Sequence, residues 1–350
     1  MPRPSPYTDL PPRAFWRHAV ADQDLRYLPD LWQPKTPVLP GQKIVTAGSC
    51  FAQHLGRALA ARGLTWHITE PPPPDLPADA WTPAGYGLFS ARTGNIYTAA
   101  MLRQWVSWAL DGVPMPREIW AEGARYYDPF RPSTPTEGVA SRADLEAARQ
   151  VTLDAFAQAL READWFIFTM GLTEYWQNRH QAYAYPTCPG TVRGQFRAAD
   201  HVLRNQSFAE ACEDMEAVFA LIRQHNPRIR FLLTVSPVPL TATATGAHVL
   251  VASTYAKSLL RTVAGDLSRR LEDVDYFPSY ELISAFPFGG WAYETNKRSV
   301  SPAGVAFVMD HFFGQQSALP ALAPRAAPAP VRPPQDILCD DDVLDYYQTR

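Results

Sequence analysis

The sequence predicts an α/β protein built on a mostly parallel sheet with helices on both faces. Two patterns predict it. Runs such as "DWFIFTM" (residues 164–170) and "IRFLLTVSPVPL" (229–240) are apolar throughout, the mark of strands buried on both sides. Segments with helical spacing stand between them, and strands alternating with helices form right-handed βαβ units.

Taken in order, residues 43–47 form a short apolar strand that ends at Gly48. Residues 51–62 follow with helical spacing. Phe51, Leu55, Ala58 and Leu59 share one face, and Gly63 stops the helix. "LTWHITE" (64–70) reads as a second strand, residues 143–163 as a long amphipathic helix, and 164–170 as the next strand. The helix over 207–225 opens with a capping box, Ser207 and Glu210, and closes at Asn226-Pro227. Residues 229–240 are strand, 251–271 helix and 274–283 strand. Ser301-Pro302 then places an N-cap and an N1 proline before a last helix reaching about residue 313. Residues 81–141 break this rhythm. They are rich in proline and aromatics and are expected to be an insertion beside the sheet, where either substrate recognition or packing accounts for the aromatics.

The 34 prolines set the expected boundaries. They predict an arm over 1–40, a domain over 41–316, a Pro/Ala-rich linker over 317–334, and a short acidic segment over 335–350 suited to docking on a protein partner. A net charge of -3 without a basic cluster argues against nucleic acid. No stretch reaches the length of a membrane span, and the N-terminus lacks the apolar core of a signal peptide. The four cysteines are scattered without metal-ligand spacing. The expectation is a reduced, soluble, cytoplasmic protein with no metal or organic cofactor. Acyl-CoA is conceivable as a donor, although no phosphate-cradling loop advertises it.

Ligands of open parallel sheets bind beyond the carboxyl ends of the strands. Gly48-Ser49-Cys50 sits at such an end, where backbone N–H groups of a helix start favour an anion. The same residues also suit a plain reading, with Ser49 an N-cap and Cys50 a small buried hydrophobe. Spacing leaves both open, with Cys50 assigned to the core.

The stretch "GSCFA" (48–52) also carries a resemblance. With "GYGLFSARTGNIYTA" (85–99), "GLTEYW" (171–176), "PTCPG" (186–190), "VSPVPLTATATG" (235–246) and "YFPSYE" (276–281), it resembles the GSCFA-domain family. That resemblance implies kinship with the SGNH hydrolases and hence a flavodoxin-like three-layer α/β/α sandwich. It further implies O-acyl ester hydrolysis or acyl transfer on a carbohydrate or related hydroxyl compound.

In that frame Ser49 matches the nucleophile, and its own N–H an oxyanion donor beside Gly48. Gly171 matches a glycine usually followed by asparagine. Here the chain continues Leu172-Thr173-Glu174, leaving Thr173 as a stand-in donor and Glu174 as either an acid partner or a helix start. The Gly94-Asn95 pair is a second oxyanion candidate. The expected Asp-x-x-His falls on Asn296-Lys297-Arg298-Ser299, so both acid and base are missing. A serine without a base is a poor nucleophile. His248 and His180 are the substitute bases considered, with His311 and His54 less well placed. Lys297 and Arg298 suit an anionic substrate or a solvated loop. The alternative function is a non-catalytic protein that binds a glycan or metabolite.

Overall fold

The computed structural model describes residues 5–316, 339, 340 and 342–344. The linker expected over 317–334 lies outside the described residues, as do residues 1–4 of the arm and most of the C-terminal segment.

The elements run β1 Lys43–Gly48, α1 Ala52–Ala61, β2 Thr65–Trp66, α2 Ala99–Leu110, β3 Trp120–Glu122, β4 Arg125–Tyr127 and α3 Arg142–Glu162. They continue as β5 Trp165–Met170, β6 Glu174–Asn178, β7 Ala184–Tyr185, β8 His201–Asn205, α4 Phe208–His225 and β9 Arg230–Val235. The last are α5 Val249–Arg270, β10 Val274–Tyr276, α6 Ser279–Ser284 and α7 Pro302–Gly314. Five strands form the central sheet in the order β10-β9-β5-β1-β2, all pairs parallel.

The side-chain period of two divides this sheet between two cores. Val45, Ala47, Phe166, Phe168, Met170, Phe231 and Leu233 face a core shared with α2, α3, α4 and α5. Ile44, Trp165, Ile167 and Leu232 face a second core built with α1, α6 and α7 and with Leu28, Trp32 and Val38 of the N-terminal arm. The result is a three-layer α/β sandwich. Burial on both faces explains why the sequence of β5, WFIFTM, has no polar alternation.

Three expectations need correction. The strand expected over 64–70 is confined to Thr65–Trp66, because the chain leaves the sheet toward the Pro71–Pro74 run. The strand expected over 274–283 ends at Tyr276, and Ser279–Ser284 is helical. Residues 81–141 are more than an irregular insertion. Thr98 accepts the Met101 N–H and starts α2, whose Trp105 and Trp108 belong to the main core. Packing therefore explains those aromatics.

A buried ionic cluster ties this region to α3. Asp128 receives Arg131 at 3.1 Å and Arg149 at 2.9 Å, all three almost fully buried. Burial pushes the Asp128 carboxyl up, but the two guanidiniums outweigh it and hold the group below the usual carboxylate range.

Candidate functional site

β1 ends at Gly48 with φ 138°, a backbone conformation that favours glycine. A Cβ at Gly48 would stand 2.5 Å from the Thr169 carbonyl oxygen, so β1 and β5 touch backbone to backbone here. The turn that follows buries Ser49 to 2% exposure. Its carbonyl accepts the Ala52 N–H at 2.8 Å and so helps to start α1.

The strand ends converge on this turn. A Cβ at Gly171 would meet Ser49 Cβ at 2.9 Å and the Tyr97 ring at 3.3 Å. Ile96 donates its N–H to Gly48 O at 2.9 Å, which lays residues 94–97 alongside the serine turn. Gly94 allows that path by adopting φ 68°. On α1, Gln53 reaches across to the Asn95 carbonyl oxygen at 3.2 Å. Gly48, Ser49, Gly94, Asn95, Gly171 and Thr173 thus gather at one end of the sheet.

The hydrogen bonds there differ from those of an oxyanion hole. The Ser49 N–H donates to Thr169 O at 3.1 Å, and the Gly171 N–H donates to Tyr97 O at 2.9 Å. Both expected donors already serve the backbone. Among the described residues neither the Ser49 hydroxyl nor the Thr173 hydroxyl has a hydrogen-bond partner, although both are buried.

The histidines considered as bases make other contacts. His248 is exposed and caps α5, its Nδ1 accepting the Leu250 N–H at 3.2 Å. His180 lies on the exposed turn after β6, 3.3 Å from Asp200. His311 is buried, with Nδ1 beside Phe307 O and Nε2 accepting the Leu28 N–H, so it anchors the arm. His54 packs on Phe51. Burial, with Arg57 nearby, pushes its pKa down to about 4. No imidazole meets Ser49.

Other candidates also differ from expectation. Asn296 accepts the N–H groups of Arg298 and Ser299 and donates to the Ser299 hydroxyl at 3.0 Å, so it shapes its own turn. Lys297 is exposed in that turn with φ 55°. Arg298 turns inward. It donates to Asp342 at 2.6 Å and to Cys339 Sγ at 3.7 Å, so its anion comes from this chain. Glu174 begins a strand, where both of its oxygens lie 2.9 Å from the Thr243 hydroxyl. Burial raises its pKa against that hydrogen bond. Cys50 is buried, and Cys50, Cys188 and Cys212 are free thiols.

Further residues complete the site. Lys257, on α5, is buried and donates to Gly171 O at 2.6 Å. Its signal in the sequence is a lysine on the apolar face that also carries Ala256, Leu260 and Ala264. Asp340 is buried as well. It receives Asn95 Nδ2 at 2.9 Å and the Ser133 hydroxyl at 2.5 Å, and its N–H donates to Tyr97 OH at 3.2 Å. Nearby, Leu172, Glu174, Cys188, Leu240, Thr243 and Leu344 help to line an apolar cavity of about 330 Å³.

With this geometry in view, the comparison with known families decides the affiliation. The sequence model of the GSCFA family matches residues 43–312, from the first residue of β1 into α7. The chain belongs to the GSCFA family. The match takes in the whole sheet and every helix α1–α6. In GSCFA terms, the naming residues 48–52 therefore run from the end of β1, which lies beside the central strand β5, through the turn to the first residue of α1. None of the curated proteins matches the chain. Among the described residues, no helix is long and apolar enough to cross a membrane.

Proposed function

We propose that this GSCFA protein is a ligand-binding member of an SGNH-like scaffold, taking a small metabolite or glycan at the carboxyl end of the sheet. One observation carries the reading: the Ser49 hydroxyl is buried with no base or acid in hydrogen-bond reach among the described residues. General-base activation requires such contact, directly or through one water. A buried hydroxyl left without a partner costs about 1–3 kcal/mol, a cost that a bound ligand's polar atom would offset. Ser49 and Thr173 then act as hydrogen-bonding groups toward the ligand, with no covalent step.

The second reading is the O-acyl esterase or acyltransferase. It is favoured by the position of Ser49 at the strand-to-helix turn with Gly171 packed against it. Ser49 would attack the acyl carbon, and Thr173 would donate to the developing oxyanion. The base would have to come from the substrate or from a rearranged side chain. Hydrolysis of 4-nitrophenyl acetate by wild type and Ser49→Ala separates the two. The binding reading expects equal turnover by both proteins. A rate that falls tenfold or more in Ser49→Ala overturns it in favour of acyl chemistry.

A further inference from the structure

The described C-terminal residues do not hang free of the domain. Asp340 is held by Asn95, Ser133 and Tyr97. Two of these three flank the Ser49 turn through Ile96, whose N–H bonds Gly48, and through the packing of Tyr97 and Ser49 about Gly171. Cys339 and Asp342 meet Arg298, in the stretch matching the family's missing acid and base. Leu344 helps to line the apolar cavity with Leu172 and Leu240. The described residues of the segment therefore touch the 296–299 turn, residues 95 and 97 beside the Ser49 turn, and the apolar cavity.

Two facts argue against a permanent strap. The segment carries a carboxylate into a nearly dry site, with Asp340 only 6% exposed, although carboxylates are rarely buried outside binding sites and ion pairs. It also leaves the buried hydroxyls of Ser49 and Thr173 without hydrogen-bond partners among the described residues. A segment built only to close the fold would be expected to satisfy them.

We propose that Cys339, Asp340 and residues 342–344 are a built-in competitor for a binding site beside the Ser49 turn, and that the site's ligand shares their chemistry. The ligand would carry a carboxylate for the cradle of Asn95, Tyr97 and Ser133. It would also carry an apolar group for the cavity that Leu344 enters. This rests on the binding reading for the identity of the ligand, while the seating of the segment stands on its own contacts. The competitor belongs to the same chain as the site, and an intramolecular competitor acts at an effective concentration on the order of a millimolar.

The test uses full-length protein and a fluorescein-labelled peptide with the sequence of residues 335–350, titrated by anisotropy. Wild type is expected to bind it at least tenfold more weakly than Asp340→Ala/Asp342→Ala, whose own segment no longer competes. Adding Asn95→Ala to that variant is expected to abolish the gain. Equal affinity of wild type and the double variant overturns the proposal.

A second measurement uses the unmodified chain. N-acetyl-aspartyl-N-methylamide at tens of millimolar, well above the tethered segment's effective concentration, is expected to speed alkylation of Cys339 at least threefold. The asparagine analogue at matched ionic strength is expected to have no effect. Equal rates with both compounds remove carboxylate recognition from the proposal. Failure of peptide binding with Ser49-independent ester turnover would remove the segment alone. Ser49-dependent turnover with intact peptide binding would remove the binding reading alone.

Discussion

Gly48 and Ser49 show how much one position decides. Gly48 combines a positive φ with a backbone contact too close for any Cβ. Gly48→Ala is expected to lower stability by at least about 2 kcal/mol, read by urea denaturation, because strain and overpacking act together. Asp128 has a different kind of leverage. Asp128→Asn leaves Arg131 and Arg149 buried without their counter-charge, and a loss of about 3–5 kcal/mol is expected by the same measurement. The wild-type carboxylate has a lowered pKa, so its stabilising contribution holds above its unfolded pKa of about 4 and fades only below that. His54 titrates at higher pH. Its folded pKa of about 4 lies below the unfolded value of about 6.5, so the unfolded chain takes up the proton first. Stability is then full above pH 6.5 and falls as pH drops toward 4, by up to about 3 kcal/mol. His54→Gln is expected to flatten that part of a thermal-denaturation pH profile.

At the scale of elements, local chemistry predicts what tertiary packing does not override. The capping box at Ser207 and Glu210 forms as its spacing implies, with both reciprocal hydrogen bonds present. Ser207→Ala is expected to cost about 1 kcal/mol, measured by thermal or chemical denaturation. β1, α1, α3, β5, β9, α5 and α7 were legible because their apolar periodicity is long and their ends are marked by Gly, Asn-Pro or Ser-Pro. The small antiparallel sheet β7-β6-β8 was not, because Glu174–Asn178 and His201–Asn205 are polar and half-exposed and carry little pattern. α2 was hidden by the prolines and aromatics around it. Only the Thr98 cap and the burial of Trp105 set it within the helical layer.

At the scale of the whole molecule, the sequence placed the cleft but not its contents. Ser49, Gly171, Thr173 and the Gly94-Asn95 pair come together because a parallel sheet gathers its strand ends. His248, His180 and Lys297 do not join them. A histidine's position along the chain does not say whether its ring will cap a helix or face a cleft. The contact of Asp340 with Asn95 spans 245 residues, and no periodicity records a contact of that range. An acidic run beside an apolar one, "CDDDVL", was the only local sign. Among the described residues the Ser49 hydroxyl has no hydrogen-bond partner, and Asp340 bonds Asn95 and Ser133 close to the Ser49 turn.

The central claim is that Ser49 is a binding group and not an activated nucleophile, and intact-protein mass after exposure to a fluorophosphonate tests it most directly. The comparison is wild type, Asp340→Ala/Asp342→Ala to open the cleft, and the same double variant with Ser49→Ala. The account predicts no adduct on any of the three, because among the described residues no base stands at the Ser49 hydroxyl. An adduct on the opened variant that vanishes with Ser49→Ala would contradict it and make the segment the cover of an active serine.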